Sequence, residues 1–507
     1  MGRRVRLKIA ARISDLARLQ AYRVGELLQQ KGIEIEYAFR ASLGDQNQHD
    51  PLWKMPEKGV FTEDFLGDLR SGAADLVVHS WKDLPTEPRT QTRVVATLPR
   101  ADSRDLFLMR RDRLDQARAS RRLRVLTSSP RRAYNLKSFF ATHLPFPVDD
   151  VDFENVRGNI ATRVKKLFDL DVDGLIVAKA AIDRLLEAHE AEFESSRAVL
   201  REALEKSHFM VLPLSVNPTA AAQGALAIEI RSDRDDIAEA LKQIDCAATF
   251  RAVEKEREIL ASYGGGCHQK IGVSVVSRNY GDVLFLRGLT DAGEVLNRAD
   301  LERAPIEIVP AARVFPRAGE DAAFFTRRPL PRGEWGRAES AKALWIARDS
   351  AWPENFRAAR DAWIWTAGLT SWRKLAERGV WVNGTSDGFG ETESPQLDAL
   401  AKAMGHELDW LKLTHAASTR GSMPICATYE LLAKASGPDL SGRTHFYWMS
   451  GSSFDRALEL FPAIRDAFHA SGPGLTHEHL VRRLGRPTIP IYLDVEAFRT
   501  ALGVRKL

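Results

Sequence analysis

A hydroxyl, an ammonium and a carboxylate stand almost side by side in His79-Ser80-Trp81-Lys82-Asp83-Leu84-Pro85-Thr86-Glu87. Emerging together beyond the end of a strand, these three polar groups suit a ligand site. All are also ordinary turn residues, so the run alone leaves a solvated turn as the rival reading. In Thr127-Ser128-Ser129-Pro130-Arg131-Arg132, Ser129 suits a helix N-cap and Pro130 the first helical position. Arg131 and Arg132 then sit at the positive end of a helix, a poor place for cations unless an anion lies between them and the free amides. Arg157-Gly158-Asn159-Ile160-Ala161-Thr162-Arg163 repeats the arrangement, and Arg12 just before Ser14 makes a third such corner. Three arginine-bearing loops point to a ligand with several carboxylates or phosphates, which guanidinium groups grip bidentately. The chain has no G-x-x-x-x-G-K-[ST] loop, which makes nucleotide phosphate the lesser candidate. Cys267 follows three glycines, a setting that leaves its sulfur accessible; a buried, inert thiol is the competing reading. Cys246 and Cys426 lie in helix-like contexts and read as structural.

Positioning these groups requires strands that end where they begin. Ala74 to Val78 is a short apolar run, which reads as a buried parallel strand delivering Ser80 to Asp83 beyond its carboxyl end, where open α/β sheets place ligands. Val5 to Ala10 reads as another strand, followed by a helix capped by Ser14 with Leu16, Leu19, Val24, Leu27 and Leu28 on its apolar face. Ile33 to Phe39, Leu123 to Leu126 and Gly174 to Ala178 continue a strand–helix alternation that implies parallel sheets covered on both faces. Two such sheets facing each other make a cleft. Residues 185–210 read as a charged surface helical excursion, and Phe250 to Ser262 as a helix stopped by Gly264-Gly265-Gly266. Proline and glycine cluster in 310–335, which reads as a linker, and a Trp-rich α/β alternation resumes after about 340.

The 507 residues exceed one ordinary core and predict three or four domains. The 73 basic and 68 acidic residues are interspersed, so a net charge of +5 gives no block for nucleic acid, and aromatic–basic interleaving is lacking. Three widely spaced cysteines without a C-x-x-C pair argue against a disulfide framework or a zinc site and suit a reducing compartment. The N-terminus has no apolar signal core, and nothing approaches the ~20 apolar residues of a membrane span. The expectation is a soluble cytoplasmic monomer with no metal, nucleic-acid or membrane partner.

These pieces, with Lys58-Gly59-Val60-Phe61, Gln223-Gly224-Ala225 to Glu229 and Gly265-Gly266-Cys267, resemble porphobilinogen deaminase (hydroxymethylbilane synthase) over about residues 5–310. The resemblance implies two periplasmic-binding-protein-like lobes, 1–107 with 220–242 and 108–219, and a small α+β domain, 243–310. It implies a dipyrromethane cofactor, built from the substrate porphobilinogen, in thioether linkage to Cys267. Loss of ammonia from porphobilinogen gives an electron-poor azafulvene, which a free pyrrole α-carbon attacks. By the same resemblance Asp83, with Lys82 and Arg12, is the catalytic set. Ser80, Lys82, Asp83, Thr127, Ser128, Ser129, Arg131, Arg132, Arg157 and Gly158 meet the cofactor. Arg12, Ser14, Lys54, Lys58, Arg157, Arg163 and Gln223 meet substrate, with Lys54 and Lys58 on a loop over the cleft. The chain departs from the family pattern at Leu126 and Ala222, both usually glycine, at Pro130, usually leucine, and at Ser42-Leu43-Gly44-Asp45, which lacks an arginine.

Residues 339–507, after a linker at 311–338, more weakly resemble uroporphyrinogen-III synthase. The resemblance rests on Trp365-Thr366-Ala367-Gly368, Ala427-Thr428-Tyr429-Glu430, Met449 to Phe454 and Gly472-Pro473-Gly474-Leu475-Thr476. It implies a flavodoxin-like α/β region, a second site of Tyr429, Thr366, Ser450, Ser452 and Thr476, and cyclisation of the first activity's product. Glycine–serine turns occur in any α/β domain, so a non-catalytic structural module is the alternative. A solute-binding protein of the same two-lobed fold is the rival for the whole chain.

Overall fold

A computed structural model describes residues 6–41, 63–266, 269–303, 306–317, 319–320, 323–418 and 421–504. The buried run Leu76–Ser80 is a central strand, as its unbroken apolar character requires. Its sheet has five strands in the order Glu34–Arg40, Arg6–Arg12, Leu76–Ser80, Leu226–Arg231, Thr92–Ala96. The first three are parallel, and Leu226–Arg231 returns antiparallel to both neighbours. A second sheet repeats the plan with Asp150–Glu154, Arg122–Leu126, Gly174–Ala178, Asp105–Arg110 and Ser207–Leu212.

Two lobes of one design therefore face each other, in line with the two-lobed expectation. Strand Asp105–Arg110 pairs wholly inside the second lobe, so the first crossover ends at 104 rather than at the 107 read from sequence. The return crossover runs through 213–225 and re-enters the first lobe at Leu226. Part of the helical excursion expected over 185–210 is in fact the edge strand Ser207–Leu212, five of whose six residues are buried. A three-stranded antiparallel sheet, Gly272–Arg278, Gly281–Leu289 and Val295–Leu301, packs with helix Ala247–Ser262 as a small third domain.

Glu256, fully buried on that helix, ties this domain to both crossovers. Its carboxylate accepts from Arg100 at 2.6 and 2.9 Å and from the backbone amides of Ala222 and Val275 at 2.7 Å each. Ala222 sits there at φ +67°, a left-handed conformation that costs an L-residue about 1–2 kcal/mol. Leu126, the other departure from glycine, takes an ordinary strand position and is buried.

The C-terminal region contains two sheets. Its larger one runs Phe325–Pro329, Ile425–Ala433, Trp410–His415, Ala343–Ile346, Trp363–Thr366, Gly384–Thr385. The five parallel strands thus lie in the order 3-2-1-4-5 with an antiparallel edge, not the flavodoxin order 2-1-3-4-5 expected from the sequence. Alternation of strands and helices specifies parallel pairing but leaves open on which side of the first strand each crossover lands. The smaller sheet is Val314–Phe315, His445–Trp448, Phe468–Ser471. Segment 311–338, read as a linker, supplies an edge strand to each sheet and buries Phe315 and Phe324. Its prolines and glycines punctuate strand ends, Pro329 closing an edge strand where its missing N–H is harmless.

The C-terminal region does not hang free. One apolar cluster joins Phe139, Phe140 and Leu136 of the second lobe to Trp372, Trp335 and Tyr429. At the lobe's edge, Val211 N–H donates to Asn383 O at 2.7 Å, and Trp381 Nε1 and Asn383 Nδ2 donate to Phe209 O at 2.9 and 3.1 Å.

Candidate active site

The two lobes enclose a cavity of about 680 Å³ at the carboxyl ends of their parallel strands. The first lobe lines it with Arg12, Ser14, Ser80, Lys82 and Asp83, the second with Ser128, Ser129, Arg131, Arg132, Arg157, Gly158 and Arg163, and the return crossover with Gln223. Thr127 lies buried just beneath, its Oγ1 accepting from Ser129 N–H at 3.3 Å. Groups separated by as much as 211 residues in the chain thus converge, from Arg12 to Gln223. Lys54, Lys58 and Cys267 lie outside the described residues.

Local chemistry shapes each corner. Ser129 Oγ accepts from Arg132 N–H and Asn159 Oδ1 from Thr162 N–H at 2.8 Å, so both helices start with a capped turn facing the cavity. Gly158 stands at φ +113°, where a Cβ would fall 2.7 Å from Thr162 Cγ2, so only glycine allows this helix to begin here. Ser14 occupies the N-cap position without a side-chain bond, which leaves its hydroxyl to the cavity. Trp81 anchors the Ser80–Asp83 turn by burying its ring against Phe250 at 5.1 Å. Among the described residues no donor bonds the Asp83 carboxylate.

His79, first residue of the motif, points the other way. Its Nε2 lies 3.0 Å from Glu229 Oε2 in the core, where Arg89 and Thr92 also bond that carboxylate. Burial works against the Glu229 anion, but these partners outweigh it and hold its carboxyl at about 2. His79 and Glu229 therefore fix the strand pair that carries the Ser80–Asp83 turn and do not line the cavity.

The two arginines of the second lobe are not loose cations. Asp105, completely buried, accepts from Arg132 Nη2 at 2.6 Å and Nε at 2.9 Å, Arg131 Nη2 at 2.9 Å, Asn217 Nδ2 at 2.8 Å and Gln223 Nε2 at 2.7 Å. Burial alone would raise its carboxyl; Arg132 and Arg131 prevail and hold it well below the usual carboxylate range. The anion that the helix start demands is thus partly internal. Sequence reading missed Asp105, although an acid opening an otherwise apolar strand, Asp-Leu-Phe-Leu-Met, is the signal that was available.

Electrostatics favour a polyanion. Burial lowers the Lys82 ammonium to about 8 against the opposing pull of Asp83, and burial with Arg132 and Arg157 lowers the Arg163 guanidinium to about 10. Burial and mutual repulsion together lower the proton affinity of these cations more than the nearby carboxylates raise it, and a ligand with several carboxylates would act in the opposite sense. The donor set therefore fits dipyrromethane and porphobilinogen-type acetate and propionate groups. The glycine turn before Cys267 packs against the segment that follows Asp83. Gly265, at φ +60°, packs so that a Cβ would sit 2.4 Å from Thr86 Oγ1, beyond the Asp83 turn. Arg257 Nη1 donates to Leu84 O at 3.1 Å and braces that turn from the third domain.

Of the five C-terminal candidates, Thr366 and Tyr429 stand on strands of the larger sheet, and Ser450, Ser452 and Thr476 at helix starts beside the smaller one. Tyr429 is buried in the apolar cluster shared with the second lobe, with His415 as its ring neighbour at 5.9 Å. Thr366 is buried and donates to Gly368 O at 3.2 Å. Ser450 caps helix Gly451–Leu460, Ser452 lies in that helix's first turn, and Thr476 begins helix Leu475–Leu484 in the smaller sheet's layer. Burial of Tyr429 follows from its place on a central strand face that the sequence does not distinguish from an exposed one.

The model of "Porphobilinogen deaminase, dipyromethane cofactor binding domain" matches residues 7–239. The chain is 36% identical over 266 residues to the porphobilinogen deaminase of Nocardia farcinica, covering 52% of this chain and 69% of that relative. It is 32% identical over 285 residues to that of Syntrophomonas wolfei, covering 56% and 84%. Among solved structures, the methionine-binding protein MetQ matches 49% of this chain and 94% of its own at 11% identity and a TM-score of 0.29. A cleft lined by carboxylate-binding cations, and relatives matched over most of their length, lead to one conclusion: the chain belongs to the porphobilinogen deaminase family, whose cofactor is dipyrromethane.

Proposed function

We propose that this chain is a hydroxymethylbilane synthase, joining four porphobilinogen molecules with loss of ammonia, with dipyrromethane held on Cys267. The observation that carries the reading is the single cavity shared by Asp83 and the arginines of three separate loops. When bound, dipyrromethane supplies a free pyrrole α-carbon as the nucleophile that starts the chain. Asp83 accepts the N–H groups of the pyrroles and steadies the positive charge that develops as ammonia leaves. Lys82, Arg12, Arg157 and Arg163 hold the acetate and propionate groups, and Arg131 and Arg132 contribute the N–H donors that Asp105 leaves over. Ser14, Ser80, Ser128, Ser129 and the backbone of Gly158 orient the same carboxylates.

Intact mass of the purified protein beside Cys267→Ser tests the assignment. An excess equal to two condensed porphobilinogen units, absent from the variant, supports it. An unmodified mass from cells that make porphobilinogen overturns it and leaves a solute-binding protein of the same fold.

For residues 339–507 the reading best supported is a non-catalytic module that braces the second lobe, because Tyr429 is spent in the shared core. Cyclisation of the linear product to uroporphyrinogen III is the second reading. Isomer analysis of the porphyrin formed by the full chain separates them: isomer III supports cyclisation, isomer I the brace.

A further inference from the structure

We infer that Asp105 is a positioning residue for this cleft, acting on Lys82 across the crossover through Gln223 and on Arg131 and Arg132 directly. Lys82 belongs to the first lobe, Gln223 to the return crossover, and Asp105 to the second lobe. Lys82 Nζ donates to Gln223 Oε1 at 3.1 Å, and Gln223 Nε2 donates to Asp105 Oδ1 at 2.7 Å and to Ser103 O at 2.7 Å. The amide is oriented by what flanks it: its carbonyl meets the ammonium and its NH₂ meets the carboxylate, and the opposite orientation would set like against like. One hydrogen-bonded path therefore spans both lobes and the segment between them.

Asp105 fits this role better than that of a stability element alone. Two guanidinium groups on adjacent residues at a helix N-terminus repel each other and the helix dipole. A carboxylate with room for about four hydrogen bonds is filled here by five donors, three of them on Oδ2, so it has no capacity left for a ligand. It touches no solvent and no cavity surface. Its action on substrate must pass through the residues it holds. Arg131 is fixed further by Asn217 Oδ1 at 2.8 Å and Pro218 O at 2.7 Å, and Arg132 by Ile176 O at 3.2 Å, so both guanidinium groups are held in place where they line the cavity. Asp105 and Asp83 also favour the charged form of Lys82, which burial, Arg132 and Arg163 oppose.

The kinetic half of the test rests on the deaminase reading; the titration half does not. Competitive acetylation with acetic anhydride across a pH series, read by peptide mass, reports the proton affinity of Lys82 in the full chain without any turnover. In Asp105→Asn, which keeps shape and removes charge, the Lys82 titration is expected to move down by about one pH unit. Asp105→Glu is expected to restore most of it. In the same asparagine variant KM for porphobilinogen should rise about tenfold or more, with a smaller change in kcat. A folded Asp105→Asn protein whose Lys82 titrates as before overturns the inference, whatever its activity. Should that variant not fold, Gln223→Leu cuts the path and keeps the carboxylate with its arginines. It should raise KM, and unchanged kinetics in a folded Gln223→Leu enzyme would equally overturn the coupling. An active site that fails to use porphobilinogen while Lys82 shifts as expected counts against the deaminase reading alone.

Discussion

The indole N–H of Trp372 donates to the backbone carbonyl of His143 at 3.0 Å, and the same ring stands edge-on to Phe139 at 5.3 Å. Trp372 belongs to the C-terminal region, and His143 and Phe139 end the helix that starts with Arg131 and Arg132. A fully buried tryptophan thus fastens the far end of the helix whose near end lines the cleft.

Trp372→Ala should cost about 3–5 kcal/mol, the usual loss for truncating a fully buried tryptophan. It should also leave a local mark. Burial first, and then Arg373, keep the His143 imidazole down at about 4, and opening the site should return it toward 6.5. Proton NMR of the histidine resonances reads this, and an unchanged titration would mean that the C-terminal region does not shield this helix.

Asp83→Asn should lower kcat about 10³-fold, with KM changed far less. A charge pair at ~4 Å in an effective dielectric of ~20 is worth about 4 kcal/mol, and nearly all of it develops with the cation. Steady-state rates of porphobilinogen consumption decide it; a loss below tenfold would remove Asp83 from the catalytic role.

The pH profile follows from Lys82. Its folded value of about 8 lies below 10.5, so the ammonium is present below pH 8 and lost as pH rises through it. kcat/KM should therefore fall above about pH 8. Lys82→Met should be weaker at neutral pH and lack that alkaline limb. A limb that survives the substitution belongs to another group.

Stability carries its own signature at the opposite end. The Glu229 carboxyl is held at about 2 in the folded chain, below its ordinary 4.5. A depressed carboxyl contributes stability that is complete above 4.5 and disappears as pH falls toward 2. Denaturation midpoints between those pH values should decline less steeply in Glu229→Gln, although that variant starts less stable because His79 and Arg89 lose their anion.

Ala222→Gly should stabilise the protein. The left-handed strain at φ +67° is relieved, the extra freedom of glycine in the unfolded chain takes back part of it, and about 0.5–1 kcal/mol remains. Urea midpoints measure it. A loss would show that the Cβ packed among Trp81, Leu84 and Val253 matters more than the backbone.

The candidate site was largely legible because its signals are local. A capping serine, a first-turn proline, and arginines at the ends of apolar strands can be read within a few residues, and the carboxyl ends of parallel strands must gather on one side of a sheet. Arg12, Asp83, Arg132 and Arg163 therefore emerged from the sequence and meet in one cavity. The roles of Asp105 and His79 were not legible. An acid opening a strand and a histidine beside a serine look alike whether they face ligand or core, and the partners that decide lie 26 and 150 residues away.

By itself, then, the sequence determined the alternation that makes two lobes, the residues that bear charge at their mouths, and the family those residues belong to. Tertiary structure alone decided that two of the arginines share a buried carboxylate, that strands arise within the proline-rich 311–338, and that Tyr429 and Trp372 enter a core common to both halves of the chain. The physical reason is the same in each case. Periodicity specifies that a face is buried, but not against what; that choice is made by surfaces hundreds of residues apart when they exclude water together.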